Sequence, residues 1–280
     1  MVIRKKRRHK GFGRFLLLLL VLALLVLDSR FRIVKNEYKL HYTDLPAQFD
    51  GLRIVQISDL HCASFGKDNE KLLAKVRKAE PDIIAVTGDI IDRDGEEDYA
   101  RELFMSLAEI APSYYVTGNH EWSLEDTGAM LELISSCGVR VLQNQYVLLE
   151  RGGGYIALVG LDDPCGRADM ETPEEVMARL RAEQGDIFTV MLYHRNKPPE
   201  ELYNLGADLI FSGHAHGGLI RLPFTDGLMD ASRTWFPKYT SGVYEYEGMN
   251  LVVSRGLGNS VIVPRFLNNP HLPVAVLVKD

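Results

Sequence analysis

Five short apolar segments of this chain each end directly before residues that can bind a metal ion, and this arrangement constrains the fold more than any other feature. The segments are rich in β-branched and aromatic residues, which predicts β-strands. They are residues 53–58, 82–87, 114–117, 187–193 and 209–212. Strands this apolar are typically buried on both faces. Helical patterns at residues 70–80 and 97–110 lie between some of them, so we expect an α/β sheet covered by helices.

The residues that follow these segments form an ordered set of short motifs. In chain order they are Asp59-Leu60-His61, Gly88-Asp89, Gly118-Asn119-His120-Glu121, His194 and Gly213-His214-Ala215-His216. Any one of them in isolation is explained by a turn after a strand. The ordered set is far harder to obtain by chance. Carboxylate, amide and imidazole groups are ligands of divalent cations, and α/β sheets present such groups at their carboxyl edge. The sequence therefore predicts a two-metal hydrolytic site.

Two-metal chemistry accounts for this choice of residue types. Two cations roughly 3.5–4 Å apart activate a water molecule at neutral pH and stabilise charge on phosphoryl oxygens. A carboxylate suits the bridging position because it has two acceptor oxygens. No convincing serine or cysteine nucleophile is present. The three cysteines, Cys62, Cys137 and Cys165, are widely spaced and odd in number, which argues against a disulfide framework or a paired-thiolate zinc site.

With these motifs in place, residues 50–280 resemble the calcineurin-like metallophosphoesterase superfamily, and in particular its bacterial, membrane-associated phosphodiesterase branch. The resemblance implies an α/β fold in which two mixed β-sheets pack as a sandwich flanked by helices. It implies that one metal is bound by Asp59, His61 and His216, the other by Asn119, His194 and His214, and both by Asp89. It also implies that His120 is catalytic, contacting the substrate and assisting the leaving group. Manganese, iron and zinc all suit such mixed oxygen and nitrogen ligands.

Further residues are expected around this site. We expect Asp92 and Glu121 to orient ligands rather than to bind metal themselves. Arg255 and Arg265 lie in segments that resemble the C-terminal part of the same branch, so they are candidate phosphate contacts; a solvated or structural ion pair is the alternative. Residues 224–239 show no clear periodicity and are a candidate loop over the site.

The N-terminal segment predicts an association with a membrane. Seven Lys and Arg residues lie within residues 1–14, and thirteen unbroken apolar residues, 15–27, follow. Because the basic residues are followed directly by an apolar segment, they are better explained as part of a membrane-targeting signal than as a nucleic-acid-binding patch. Thirteen helical residues span only about 20 Å, less than a hydrocarbon core of roughly 30 Å. A cleaved signal peptide is an alternative, but no small-x-small cleavage site follows the run, so we expect an uncleaved anchor.

These observations divide the chain into four parts. Residues 1–14 are predicted to be a basic cytoplasmic tail, 15–27 a membrane anchor or signal h-region, 28–49 a juxtamembrane linker and first strand, and 50–280 the metallophosphoesterase domain. The basic tail should stay in the cytoplasm, which predicts a single-pass protein of the cell membrane with an extracytoplasmic domain. Residues 15–280 carry 25 basic and 38 acidic residues, a net charge of −13, which argues against nucleic acid as a partner.

The predicted function is a membrane-anchored, two-metal phosphoesterase that hydrolyses phosphodiester or diphosphate bonds. A lipid-linked envelope compound is a candidate substrate. Two alternatives remain open at this point: a secreted nucleotide or phosphomonoester hydrolase, which requires cleavage after the apolar run, and a catalytically silent, membrane-anchored binding domain. Loss of a ligand would favour the silent domain, and the ligand set is complete. The sequence does not indicate an oligomeric state.

Overall fold

Two six-stranded mixed β-sheets form the centre of the computed structural model, counted over the residues that it describes: 8–222, 226–230, 234–261 and 263–280, with side chains from residue 11 onward. The strands are β1 (Val34–Tyr42), β2 (Arg53–Ile57), β3 (Ile83–Thr87), β4 (Ser113–Val116), β5 (Arg140–Val141), β6 (Gln145–Arg151), β7 (Gly154–Leu161), β8 (Thr189–Tyr193), β9 (Leu209–Ser212), β10 (Gly242–Tyr246), β11 (Met249–Val253) and β12 (His271–Lys279). All five strands predicted from apolar segments are present, as β2, β3, β4, β8 and β9.

The order of strands brings the five segments together. The first sheet runs β1-β12-β2-β3-β4-β5, and the second runs β10-β11-β9-β8-β7-β6. Strands β2, β3 and β4 are parallel neighbours, as are β7, β8 and β9. Antiparallel pairs, such as β12 with β2 and β6 with β7, make both sheets mixed. The predicted fold class is therefore confirmed.

Helices cover the outer faces of the sandwich. They are α2 (Glu70–Lys78), α3 (Glu97–Ala108), α4 (Thr127–Ser136), α5 (Pro173–Gln184) and α6 (Pro199–Tyr203), whereas the N-terminal helix α1 (Arg8–Phe31) is exposed over most of its length. In α3 the buried residues Ala100, Leu103, Phe104 and Leu107 recur at helical spacing, and this stripe packs against the first sheet. Helix α5 begins with the predicted capping box, in which Thr172 and Glu175 exchange backbone and side-chain hydrogen bonds.

The core consists of three apolar layers. Alternate residues of each strand face opposite sides, so that Ile54 packs between the sheets whereas its neighbour Val55 packs under helices α2 to α4. The layer between the sheets also contains Phe211 of the second sheet, and a third layer packs β7, β8 and β9 against α5 and α6. This packing fixes the relative position of the two carboxyl edges, where the predicted ligands lie.

The N-terminal helix is longer than the thirteen-residue apolar run. Helix α1 ends at Phe31, so residues 28–31 continue the helix instead of forming a linker, and β1 begins three residues later at Val34. Its segment Gly11–Phe31 has 21 residues and is apolar and long enough to cross a membrane. At 1.5 Å per residue this segment spans about 31 Å, which matches a hydrocarbon core of roughly 30 Å. The short span expected from residues 15–27 is thus corrected.

Candidate metal centre

The predicted ligands lie in the loops at the carboxyl ends of five strands. Asp59 follows β2, Asp89 follows β3, Asn119 and His120 follow β4, His194 follows β8, and His214 and His216 follow β9. Because parallel neighbours end at the same edge, each sheet presents its own row of ligands.

Hydrogen bonds between loops join these two rows. The Asp59 Oδ1 atom accepts a hydrogen bond from the backbone N–H of His214 at 2.8 Å. The His194 ring donates from Nδ1 to the backbone oxygen of Thr87 at 2.8 Å, which leaves its Nε2 atom free to face the site. Each of these bonds links a loop of one sheet to a loop of the other. The two ligand rows therefore form a single centre.

One cluster of ligand atoms is formed by Asp59, His61, Asp89 and His216, all of which are buried. The Nε2 atoms of His61 and His216 lie 3.1 Å apart. His61 Nε2 lies 3.8 Å from Asp89 Oδ2, and His216 Nε2 lies 3.6 Å from Asp59 Oδ1. One atom from each of the four residues lies within 4.8 Å of the others, a spacing suited to a single cation.

A second cluster shares Asp89 with the first and adds His194 and His214. His194 Nε2 lies 3.2 Å from Asp89 Oδ2 and 3.2 Å from His214 Nδ1. A carboxylate that belongs to two adjacent ligand clusters has the position of a bridging ligand. Asp89 is thus shared by the two clusters, and its role as a bridging ligand stays a prediction.

His120 lies beside the clusters and is held by Asp92. A single oxygen of Asp92, Oδ1, lies 2.7 Å from Nδ1 of His120 and 2.7 Å from Nδ1 of His61. The Nε2 atom of His120 points towards Asp89 Oδ2 at 4.0 Å, and its side chain is partly exposed, unlike that of His61. The hydrogen bond to Asp92 raises the pKa of His120 against the opposing effect of burial. Asp92 therefore contacts two histidines and favours the protonated form of one; its role in orienting ligands stays a prediction.

Glu121 shapes the loop that carries Asp89. Its fully buried carboxylate accepts hydrogen bonds from four backbone N–H groups: those of Asp89, Ile90, Ile91 and Gly118, at 2.9, 2.7, 3.2 and 2.8 Å. Burial and the charge of Asp89 raise the pKa of Glu121, while these N–H groups lower it. The carboxylate of Glu121 contacts the backbone of the ligand loops and not the ligand atoms; its role in orienting the ligands stays a prediction.

Five of the predicted ligands have left-handed backbone conformations. The φ angles of Asp59, His61, Asp89, His214 and His216 lie between 48° and 63°. Such angles are uncommon for residues other than glycine and cost of order 1 kcal/mol or more each, so the surrounding structure must impose them. They turn consecutive side chains inwards from short loops, which regular strands do not allow.

Two glycines of the motifs permit the close approach of these loops. A Cβ atom on Gly118 would lie 2.1 Å from Asp89 Oδ1, and a Cβ atom on Gly213 would lie 2.3 Å from Asp59 Oδ2. Any side chain at either position would displace a carboxylate of the centre. The glycines of these two motifs are thus explained by packing against the ligands.

Burial makes the protonation states of the cluster interdependent. Burial disfavours the charged form of His194, but the charge of Asp89 outweighs it and raises the pKa of His194 to about 10. Burial opposes ionisation of Asp89 as well, yet His194 lowers the pKa of that carboxyl. Burial, with the charges of His194 and Arg195, lowers the pKa of His214 to about 3. Without a metal, a proton on His194 balances the charge of Asp89, and a cation bound by the two residues would take the place of that proton.

The donor set fits a pair of divalent cations. Asn119 follows β4, and its side-chain oxygen is buried without a hydrogen-bond partner. An unpaired buried oxygen is costly, and a cation within reach would satisfy it. Carboxylate and amide oxygens together with imidazole nitrogens are ligands that manganese, iron and zinc accept. The residues present therefore suit the metals that the sequence predicts.

Arg195 and Asp163 also adjoin the centre, although neither is among the predicted site residues. Arg195 binds the buried carboxylate of Asp163 through two hydrogen bonds, at 2.6 and 3.0 Å, and its Nη1 atom lies 3.0 Å from His214 Nε2. Its positive charge favours the neutral, metal-binding form of His214. Asp163 comes two residues after the end of strand β7. The rule that identified the other site residues, a polar residue directly after an apolar strand, could therefore have identified Asp163 as well.

Arg255 and Arg265 differ in how their side chains are used. The Arg265 guanidinium is buried and donates to the backbone oxygens of Arg255, Gly258 and Asn268. Burial lowers its pKa to about 9. Arg255 is partly exposed and donates to the backbone oxygen of Asn269 at 3.4 Å. Arg265 thus holds the C-terminal loops together through backbone contacts, not through the ion pair weighed from sequence; phosphate contact by either arginine stays a prediction.

The candidate loop over the site, residues 224–239, lies partly outside the described residues, which omit 224–225 and 231–233. Where it is described, Trp235 and Phe236 are exposed. The backbone oxygen of Tyr239 accepts a hydrogen bond from Asn196, two residues beyond His194. One end of the segment therefore adjoins the loop of His194, and its covering role stays a prediction.

The fold and the centre together define a class of protein. A sandwich of two mixed sheets, with oxygen and nitrogen ligands delivered from five strand ends around a shared carboxylate, is the arrangement of a binuclear metal hydrolase.

Comparison with known proteins identifies the family within this class. The family model described as calcineurin-like phosphoesterase matches residues 52–218, and the chain belongs to that family. Similar proteins include the uncharacterized metallophosphoesterase YkuE of Bacillus subtilis, 29% identical over 252 residues that cover 88% of this chain and 85% of the relative. The phosphodiesterase YaeI of Escherichia coli is 24% identical over 213 residues, covering 74% of this chain and 75% of the relative.

Among solved structures, the fold is similar to that of a dimetal phosphatase from Danio rerio. The two share 14% sequence identity with a TM-score of 0.51, over 82% of this chain and 94% of the other. The family membership and the ligand clusters identify the chain as a metal-dependent phosphoester hydrolase.

Proposed function

We propose that this protein is a membrane-anchored hydrolase with two divalent metal ions that cleaves phosphodiester or diphosphate bonds, with a lipid-linked envelope compound as a candidate substrate. The observation that carries the two-metal proposal is the position of Asp89. Its carboxylate belongs to two ligand clusters, one with Asp59, His61 and His216 and one with His194 and His214. The unpaired side-chain oxygen of Asn119 would be a further ligand for the second metal.

The metals, when bound, would supply an activated water molecule and neutralise charge on the phosphoryl group. The chain supplies the remaining functions. The Glu121 carboxylate holds the Asp89 loop through four backbone N–H groups, and Arg195 keeps His214 in its neutral form. His120 is partly exposed with a raised pKa, which suits a group that donates a proton to the departing oxygen.

A diester preference is supported by comparison with a relative. His120 stands beside the metal clusters with Asp92 to favour its protonated form, which suits proton donation to the alkoxide released from any alkyl phosphoester. The related Escherichia coli protein bears the name phosphodiesterase. Manganese, iron and zinc are all compatible with the ligands, so the identity of the metals is part of the test.

The membrane anchor rests on helix α1. Its segment Gly11–Phe31 is long and apolar enough to cross a membrane, and nearly all of its large apolar side chains are exposed. The seven basic residues within residues 1–14 favour a cytoplasmic location for that end, which places the metal centre outside the cytoplasm. A hydrolase held at the membrane meets lipid-linked phosphoesters at high local concentration.

The central test is Asp89→Ala in the full-length, detergent-solubilised protein. Because this change removes a ligand from both clusters, we expect loss of bound metal together with loss of hydrolysis across a panel of aryl phosphodiesters, diphosphates and phosphomonoesters. Asp186→Ala is the matched control, since Asp186 is exposed and precedes β8, at the opposite end of that strand from His194. A variant at position 89 that keeps both its metal content and its activity contradicts the assignment.

Orientation is tested separately with protease added outside intact spheroplasts of a bacterial host. An uncleaved anchor with an external domain predicts digestion of the domain and survival of a membrane-bound N-terminal fragment. Protection of the domain, or a soluble product that begins near residue 30, argues for the opposite orientation or for the secreted alternative, respectively.

A further inference from the structure

A cavity of about 470 Å³ lies between the C-terminal end of helix α1 and the loop of the metal centre that carries His61. On the helix side it is lined by Val26, Arg30 and Phe31, and on the opposite side by residues 257–259, 261 and 264–265, together with residues 61–65, of which His61 is a candidate metal ligand. Its volume is within the roughly 300–1,000 Å³ typical of small-molecule sites. The cavity therefore extends from the membrane helix to the loop that carries His61, whose side chain is fully buried.

The helix wall is fixed to the domain. The Nδ2 atom of Asn269 donates to the backbone oxygen of Asp28 at 2.8 Å, and Arg32 binds the carboxylate of Asp28. Ser29 is buried, and the backbone N–H of Val34 donates to Pro270 at 2.8 Å, where β1 begins. These contacts join the C-terminal end of α1 to the loop before β12, so the helix wall of the cavity has a defined position relative to the domain.

The cavity lies at the level of the membrane surface if α1 spans the bilayer as proposed. Its 21-residue segment matches the hydrocarbon thickness, so Arg30 and Phe31 at its end are at the height of the lipid headgroups. Arginine and aromatic residues are favoured at that height. Four residues earlier on the helix, Val26 lies within the acyl region and lines the same cavity.

The chemistry of the lining is mixed in a way that suits a lipid phosphoester. Val26, Phe31, Leu257 and Val261 provide apolar surface, whereas Arg30 provides a positive charge between that surface and solvent. The loop wall also borders exposed apolar groups. Leu267 is exposed two residues after Arg265, and Phe266 pairs with Ile220 at the base of the segment that carries the exposed Trp235. Exposed tryptophan is typical of residues at a membrane interface.

We propose that this cavity receives the part of a lipid substrate's hydrocarbon chain nearest the phosphate, so that the phosphoester reaches the metal centre while the remainder of the chain stays in the bilayer. The proposal rests on the hydrolase function proposed above and names the route by which a lipid-linked substrate enters. Helix α1 then acts as one wall of the binding site in addition to acting as an anchor.

The test compares two synthetic phosphodiesters with the same leaving group, dodecyl 4-nitrophenyl phosphate and ethyl 4-nitrophenyl phosphate, on the metal-loaded full-length protein in mixed micelles. Val26→Trp and Val261→Trp fill the cavity from opposite walls. Leu27→Trp is the matched control, because Leu27 neighbours Val26 on the same helix but is exposed and does not line the cavity. None of these residues belongs to the metal centre.

We expect both cavity variants to lower kcat/KM for the dodecyl ester by about tenfold or more, the effect of losing an apolar contact of one or two methylene groups. The ethyl ester should be hydrolysed within about twofold of the unaltered protein by all three variants, and Leu27→Trp should leave both esters unaffected. A selective loss of activity on the dodecyl ester in both Val26→Trp and Val261→Trp would show that the alkyl chain binds in the cavity, because a local folding defect would not affect one ester alone.

Two outcomes overturn the proposal. Equal losses on both esters show that the cavity is structural, and unchanged hydrolysis of the dodecyl ester by both cavity variants shows that the chain does not enter it. Failure of the hydrolase function itself looks different: the unaltered, metal-loaded protein would then hydrolyse neither ester above the level of Asp89→Ala.

Discussion

Replacing Glu121 by glutamine tests whether a carboxylate that touches no ligand atom nevertheless builds the metal centre. In the structure, Oε1 accepts from the N–H groups of Ile90 and Ile91, and Oε2 accepts from those of Asp89 and Gly118. The amide of glutamine has the same shape, but its NH₂ group cannot accept hydrogen bonds. In either orientation, two buried N–H groups lose their acceptor.

The size of the effect follows from this count. A buried donor left unpaired costs about 1–3 kcal/mol, so two of them cost about 2–6 kcal/mol. This is a large share of the roughly 5–15 kcal/mol that stabilises a typical domain. Three of the four N–H groups belong to the loop of Asp89, whose φ of 54° needs support from its surroundings. We therefore expect the loss to appear first as weaker metal binding.

The assay measures the free energy of unfolding of the full-length protein by denaturant titration, alongside metal content and hydrolysis of an aryl phosphodiester. Glu132→Gln on the exposed face of α4 is the control, and it should change the free energy of unfolding by less than about 0.5 kcal/mol. If Glu121→Gln matches this control in stability, metal content and rate, the loop-holding argument is refuted. Full stability and metal content with lost activity would instead assign Glu121 a direct part in the reaction.

Three further changes test the acid, its partner and the fold. His120→Asn should lower turnover about 100-fold with both metals retained, and less for esters with acidic leaving groups; a uniform loss with loss of metal would make His120 a ligand. Asp92→Asn replaces the carboxylate that raises the pKa of His120 by a neutral amide, so the alkaline limb of the kcat–pH profile should move to lower pH; an unmoved limb rules out this pair. Burial raises the pKa of Asp208 to about 6, above its unfolded value near 4, because the charged carboxylate is disfavoured inside the protein. The protein is therefore most stable with respect to this group below pH 4, where Asp208 is protonated, and it loses that stability as the pH rises through 6. Asp208→Asn, which keeps an acceptor for Thr189, should therefore be more stable than the unaltered protein at pH 8, by about 2 kcal/mol, and equal to it at pH 4 in denaturant titrations.

Much of the fold could be predicted because its strands are local features. Segments such as 53–58 and 209–212 combine β-branched residues with a turn, and both became buried strands of the sandwich. Helix α1 was less predictable. Its hydropathy marks only residues 15–27, whereas the helix continues to Phe31, since the contacts that hold residues 28–32 come from Asn269 at the other end of the chain.

At the metal centre, the candidate ligands could be recognised from the sequence because they come directly after apolar segments. The sequence did not show which loops of the two sheets lie close together. Asp59 meets the loop of His214, 155 residues away, only because the sheets pack face to face around residues such as Ile54 and Phe211. Arg195 meets Asp163 for a different reason: β7 and β8 are parallel neighbours in the second sheet, so the residues that follow them lie at the same edge.

The sequence by itself therefore determined the strands, the ligand types, the family resemblance and the presence of an apolar N-terminal segment, because each of these depends on residues that are close together in the chain. The tertiary structure alone decided that Asp89 belongs to two ligand clusters, that Glu121 supports its loop, and that a cavity extends from α1 to the loop that carries His61. The physical reason is that left-handed turns and contacts between distant loops are imposed by the packing of both sheets and not by the preferences of the residues that adopt them.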